Sequence, residues 1–144
     1  MGAQTFDETI VLHVKDKHNL RIGKRTAEAI RVEIGSAVPI APKTMDMRAR
    51  HVTKDVHQTI KLTAEEIREA LSESVLAIVK NVRVMYETMP PELVAAIKQG
   101  GIVLKGENDL KGLGHLLTRE TALPVISHIR SKRSQTINIW SRWN

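Results

Sequence analysis

The chain of 144 residues is 42% hydrophobic and 26% charged, with 3% aromatics and no cysteine, enough for one soluble-type domain whose core is aliphatic. The missing cysteines exclude disulfides, thiolate metal sites and cysteine nucleophiles. Four of the six net positive charges lie at Arg130, Lys132, Arg133 and Arg142 in an acid-free end, so the body is close to neutral and weakly suited to binding a phosphate backbone.

Phe6, Ile10, Val11 and Val14 recur at helical spacing and predict a first helix ending near His18 and Asn19. Leu20 to Gly23 reads as a connection, and a second helix runs from Lys24 to Ile34 with Ala27, Ile30 and Ile34 on one side. Gly35 is expected to close it in a left-handed cap. Pro39 and Pro42 forbid further helix. Met45, Met47 and Ala49 then alternate with polar residues, and Val56, Ile60 and Leu62 mark a returning strand, which predicts an antiparallel hairpin with one buried face.

Thr63 and Glu66 have the spacing of a capping box, opening a long helix with the stripe Ile67, Leu71, Val75, Ile78, Val79 and Val82. Pro90 ends that helix, and Pro91 sits in the first turn of a short one reaching Ile97. Gly100 and Gly101 stop it. Ile102 to Leu104 reads as a strand buried on both faces. After a polar turn, Leu110, Leu113, Leu116 and Leu117 predict a helix, and Leu123 to Ile126 a last strand. That ending is a βαβ unit with two parallel strands. The class is α/β with a mixed sheet, the early helices and hairpin (24–72) forming a smaller lobe beside the βαβ unit.

The turn from Lys105 to Asp109 lies where α/β folds offer backbone amides to phosphates. Gly106 is its one glycine, and Glu107 and Asp109 bring negative charge. Those acids favour a plain helix N-terminus, where they suit the helix dipole, over a phosphate site. Glu28 and Arg31 stand three apart on the second helix and read on their own as a solvated ion pair. The six histidines (13, 18, 51, 57, 115 and 128) show no metal-ligand spacing and read as scattered surface residues. Ser72, Ser74 and Ser127 lack the strand–elbow setting of a nucleophile. Trp140 and Trp143 beside Arg142 offer stacking rings on a tail (130–144) read as divergent, basic and disordered.

Four runs in this order, Arg25 to Ala37, Ile67 to Leu71, Pro90 to Leu93 and Gly101 to Leu104, resemble the C-terminal half of MreB, the bacterial actin-like filament family. Gly2 to Glu8 looks like that family's Gly-Gly-Asp-Lys-Phe-Asp-Glu, altered in the middle. The resemblance extends to Val125 or Ile126. It implies a partial actin-like fold over 1–129 and a role in rod cell shape.

By the same resemblance, Glu28, Ala29, Ile30 and Arg31 match a Glu-Arg-Ile-Lys run that touches the ribose and base of a nucleotide. Gly106 and Leu110 match the first glycine and a later leucine of a Thr-Gly-Gly-Gly-Ala-Leu-Leu turn beside it. Glu107 and Asn108 replace the next two glycines, and a Cβ and carboxylate at Glu107 obstruct and repel phosphate.

The family's phosphate loops, water-positioning residues and membrane-binding elements have no match in the sequence. Phosphoryl transfer depends on such cradles and a metal ion. The expectation is a truncated cytoskeletal protein in the cytoplasm, without ATPase activity of its own. It would bind ATP and Mg only as far as the family contacts survive, and would associate with itself or with other MreB-like subunits. The alternative is the nucleotide-binding half of an ATPase completed by another chain. A nucleic-acid module acting through the tail ranks last. No run nears the ~18 apolar residues of a membrane span, and Met1 to Asp7 lacks a secretory-leader pattern.

Overall fold

The computed structural model describes residues 5–104, 109–121 and 124–127. Gly106, Glu107, Asn108 and the tail 130–144 lie outside the described residues, and with them the readings made on those positions. Helix α1 (Phe6–His18) opens with a capping box that the sequence reading had passed over. The Thr5 hydroxyl accepts from the Glu8 amide at 3.1 Å, and the Glu8 carboxylate accepts from the Thr5 amide at 2.9 Å. Phe6, Ile10 and Val14 turn inward. The helix ends on Asn19, at φ 58° in the left-handed region.

Leu20 and Arg21, expected as a connection, form a short strand β1 paired with the far end of the hairpin (Leu20↔His51, Arg21↔Arg50). Two residues are too few to show a period, so only the pairing reveals the strand. Helix α2 (Lys24–Ile34) has the expected bounds, with Ala27, Ile30 and Ile34 buried. Gly35 corrects the expected left-handed cap, because its backbone is extended at φ −74°, ψ 144°. It is crowded instead: an added Cβ would lie 2.6 Å from the Arg31 carbonyl oxygen and 3.1 Å from Leu110 Cδ1.

The hairpin is β2 (Thr44–His51) against β3 (His57–Thr63), with Met45 opposite Leu62 and Met47 opposite Ile60. Met47, Ala49 and Leu62 are buried, while Val56 lies in the connection and is exposed. The Thr63–Glu66 capping box is present at the start of α3 (Ala64–Thr88), whose Ile67, Leu71, Val75 and Val79 are buried. Helix α4 (Pro91–Gly100) buries none of its residues.

Strand β4 (Ile102–Leu104) pairs in parallel with β5 (Val125–Ser127), joined through α5 (Leu113–Thr121), which gives the expected βαβ unit. Two details differ. Val103 is 45% exposed, so β4 is covered on one face only; among the described residues β5 is its one sheet partner. Leu110 precedes α5 and is buried within the turn. The sheets also stay separate, three antiparallel strands in the order β1-β2-β3 and two parallel ones, where one mixed sheet was expected. Buried residues from Phe6 to Val125 nonetheless belong to a single hydrophobic cluster. No helix among the described residues is long and apolar enough to cross a membrane.

Candidate functional site

The end of α2 is docked onto the turn that leads into α5. The Ala37 amide donates to the Lys111 carbonyl at 2.8 Å. The buried Ser36 hydroxyl donates to the Val38 carbonyl at 2.6 Å and reaches the Lys111 carbonyl at 3.3 Å. Within the turn, Asp109 is buried and its carboxylate accepts from the Leu110 amide at 2.8 Å.

Arg31 ties this junction to α1. Its guanidinium is 2% exposed, with Nε donating to Asp7 Oδ1 at 2.7 Å and Nη1 to the Asp109 carbonyl at 2.9 Å. A buried charge is tolerable only when paired and hydrogen-bonded, and Asp7, itself buried, supplies the counter-charge. The sequence had offered Arg31 to solvent or to a nucleotide. The structure turns it inward, with Glu28 remaining 3.7 Å from Nη2.

Of the run at 28–31, then, Glu28 and Ala29 are exposed, whereas Ile30 and Arg31 are interior. Glu28 lines a shallow cleft of about 270 Å³ with Asp7, Lys24 and Arg25. Leu110, also carried over as a contact, is fully buried, and Gly106 lies outside the described residues. The cleft is lined by two carboxylates, Glu28 and the Arg31-paired Asp7, and by two cations, Lys24 and Arg25, suited to hydroxyl and phosphate oxygens.

Lys111 provides a titration marker for the junction. Partial burial, then the charge of Lys43, pushes its ammonium pKa down against the opposing pull of Glu33. A lysine with a folded pKa below its unfolded one binds protons less tightly when folded. Stability must therefore rise as pH climbs from the lowered folded value to the ordinary lysine value. We expect Lys111→Met to gain stability at neutral pH and to lose this alkaline rise, in urea titrations run across that pH window. An unchanged alkaline profile would contradict the assignment.

A second cluster escaped the sequence reading. His13 and His18 of α1 both place Nε2 2.7 Å from Oε2 of Glu66, in the first turn of α3. The imidazoles meet edge to face with centroids 5.9 Å apart. Partial burial pushes the Glu66 carboxyl pKa up, but hydrogen bonds from His18, His13 and the Thr63 backbone, with the charge of His18, outweigh it and hold the value below the ordinary carboxylate range. The histidines are five apart on one helix, a spacing that signals nothing until Glu66 arrives from another element.

The architecture is that of a partial actin-like domain. The fold superposes on crystal structures of MreB5 of Spiroplasma citri bound to ADP and to AMPPNP, each at TM-score 0.70 and 26% identity. The alignments cover 96% of this chain and 41% and 40% of those chains. The family model for MreB/Mbl protein matches residues 1–136. The chain is 39% identical over 128 residues to the cell shape-determining protein MreB of Escherichia coli K12, and 35% identical over 128 residues to the cell shape-determining protein Mbl of Bacillus subtilis 168. It belongs to the MreB/Mbl family. It spans 37% of the first of these relatives and 38% of the second.

Proposed function

We propose that this chain is an assembly module of the cell-shape cytoskeleton, working in the cytoplasm, that docks onto other MreB-like subunits and does not hydrolyse ATP by itself. The observation that carries this reading is the apolar surface left open on three successive elements. Helix α4 buries no residue and exposes Leu93, α3 exposes Leu76, Val84 and Met85, and β4 exposes Val103. Large exposed apolar side chains favour a protein partner, and a strand with one sheet partner among the described residues favours another strand on its second edge. The inward guanidinium of Arg31 supports the second half of the proposal, since it removes a contact a nucleotide would use.

The cleft around Glu28 favours a second reading. With Lys24 and Arg25 beside it, it has the polarity for a sugar hydroxyl and a neighbouring phosphate, so these residues would form one wall of a nucleotide site completed by another chain. The relatives of known structure hold ADP and AMPPNP.

Thermal melts with and without excess Mg-ATP, read beside phosphate release, separate the two. A ligand that binds only the folded state raises its stability by mass action. We expect no phosphate release and no upward shift from the isolated chain. A shift abolished by Glu28→Ala would replace the first reading by the second. Sedimentation over a concentration series tests assembly: self-association is expected, weakened by Leu93→Asp, and a strictly monomeric chain that captures no MreB-like subunit would remove the proposal.

A further inference from the structure

We infer that His13, His18 and Glu66 form a divalent transition-metal site, with Zn²⁺ the fitting ion, that clips α1 to the start of α3. Two imidazole nitrogens and one carboxylate oxygen converge with all ligand atoms within 4.8 Å of one another. Two neutral imidazoles and a carboxylate are the donor set that suits zinc, which favours nitrogen and oxygen ligands in tetrahedral array.

The supporting contacts are already in place. Glu66 is the reciprocal partner of a capping box: its Oε1 accepts from the Thr63 amide at 3.4 Å, and its amide donates to Thr63 Oγ1 at 3.1 Å. The helix cap therefore orients the carboxylate and leaves Oε2 facing both histidines. Hydrogen-bonded carboxylates of this kind fix metal ligands before the ion arrives. His18 is the last residue of α1, where the helix dipole favours a cation. The start of α3 acts in the opposite sense, so the dipoles leave the choice to the ligands themselves.

The present separations of 2.7 Å are hydrogen-bond distances. A tetrahedral ion with bonds of ~2.0–2.1 Å needs its ligands ~3.3–3.4 Å apart. Replacing the bridging protons with Zn²⁺ thus asks each His–Glu66 contact to spread by roughly half an ångström, while the two imidazole nitrogens, within 4.8 Å of each other, settle to the same ligand spacing. The three ligand side chains are 19–22% exposed, and they line an open cleft of about 370 Å³ with Lys17, Glu69 and Ala70. The ion has a path in. Water completes the fourth position, while Lys17 is the one opposing charge lining the cleft.

The test is isothermal titration of the metal-stripped, untagged 144-residue chain with zinc chloride, paired with Co²⁺ as a visible-absorption probe of tetrahedral geometry. One ion per chain is expected, with an upward thermal shift and the d–d bands of tetrahedral cobalt. His18→Gln and Glu66→Gln should each weaken binding by about tenfold or more, in line with losses at metal-site contacts. Glu66→Gln is the sharper variant, because glutamine preserves the capping box while removing the charged ligand, so the fold survives its loss. His57→Gln, at an exposed hairpin histidine, should leave binding unchanged. No saturable uptake, or uptake equal in Glu66→Gln and the parent, would overturn the inference and leave a proton-bridged His–Glu contact.

Discussion

Arg31→Met is expected to cost about 3–5 kcal/mol of unfolding free energy, the range for removing one partner of a buried ion pair. A domain of this kind is held by only ~5–15 kcal/mol in all, so the substitution should remove a large part of the folded population's margin. The cost comes from what is left behind. Asp7 is 2% exposed and its Oδ1 would lose the Arg31 Nε–H, leaving a carboxylate shielded from water without its counter-charge. The Asp109 carbonyl would lose its Nη1 donor in the same stroke. Arg31→Lys keeps a charge but not the planar fork that reaches α1 and the turn together, so a smaller loss is expected. The double variant Asp7→Leu/Arg31→Met should lose less than Arg31→Met alone, because no unpaired charge then remains inside. Urea denaturation read by linear extrapolation checks all three. A loss below about 1 kcal/mol for Arg31→Met would mean that water compensates the carboxylate, and the internal role of Arg31 would fail.

That network also marks where the sequence stopped being readable. Asp7 in the first turn of α1 has a sufficient local explanation in the helix dipole, and Glu28 with Arg31 has one in the i,i+3 ion pair. Nothing local says that Asp7 and Arg31, 24 positions apart, share a buried contact. The same holds for His13 and His18, whose meeting point is set by the cap of a helix some fifty residues later. By contrast, each feature legible beforehand had a short-range physical cause. Thr63 and Glu66 needed only their own spacing to form a cap, and the alternation around Met47 and Leu62 was enough to set the buried face of the hairpin. The parallel pairing of β4 with β5 followed from the helix between them.

The glycines show both outcomes. Gly35 drew the common inference of a left-handed helix end, yet it is extended and is needed for closeness to the Arg31 backbone. The left-handed helix end belongs to Asn19, whose short polar side chain tolerates that backbone. At Gly35 the tightest contacts of an added Cβ are with the helix's own last turn, and Leu110 from the turn before α5 closes the other side at 3.1 Å; no periodicity in the sequence encodes that crowding.

Gly112→Ala is the second large effect expected, and it tests the same junction from the opposite side. Gly112 lies at φ 82°, and a Cβ there would stand 2.5 Å from Val38 Cγ2. Two costs combine. A non-glycine residue in the left-handed region loses roughly 1–2 kcal/mol, and forcing extra volume into a packed contact loses about 1–3 kcal/mol more. Val38 gives way poorly, because its β-branch restricts χ1 and its amide is held by Ser36 Oγ at 3.1 Å. The two terms can be separated. Adding Val38→Ala to Gly112→Ala removes the collision and should restore the steric part, leaving the backbone penalty of about 1–2 kcal/mol. The residual should appear at the start of α5, where the Leu116 amide bonds to the Gly112 carbonyl at 3.0 Å and the Leu113 amide to the Leu110 carbonyl at 2.9 Å. Amide exchange at Leu113 and Leu116 should quicken in Gly112→Ala ahead of global unfolding. If Val38→Ala rescues nothing, the turn is governed by its own backbone and not by the segment after α2, and the docking that also fixes Arg31 would have to be held elsewhere.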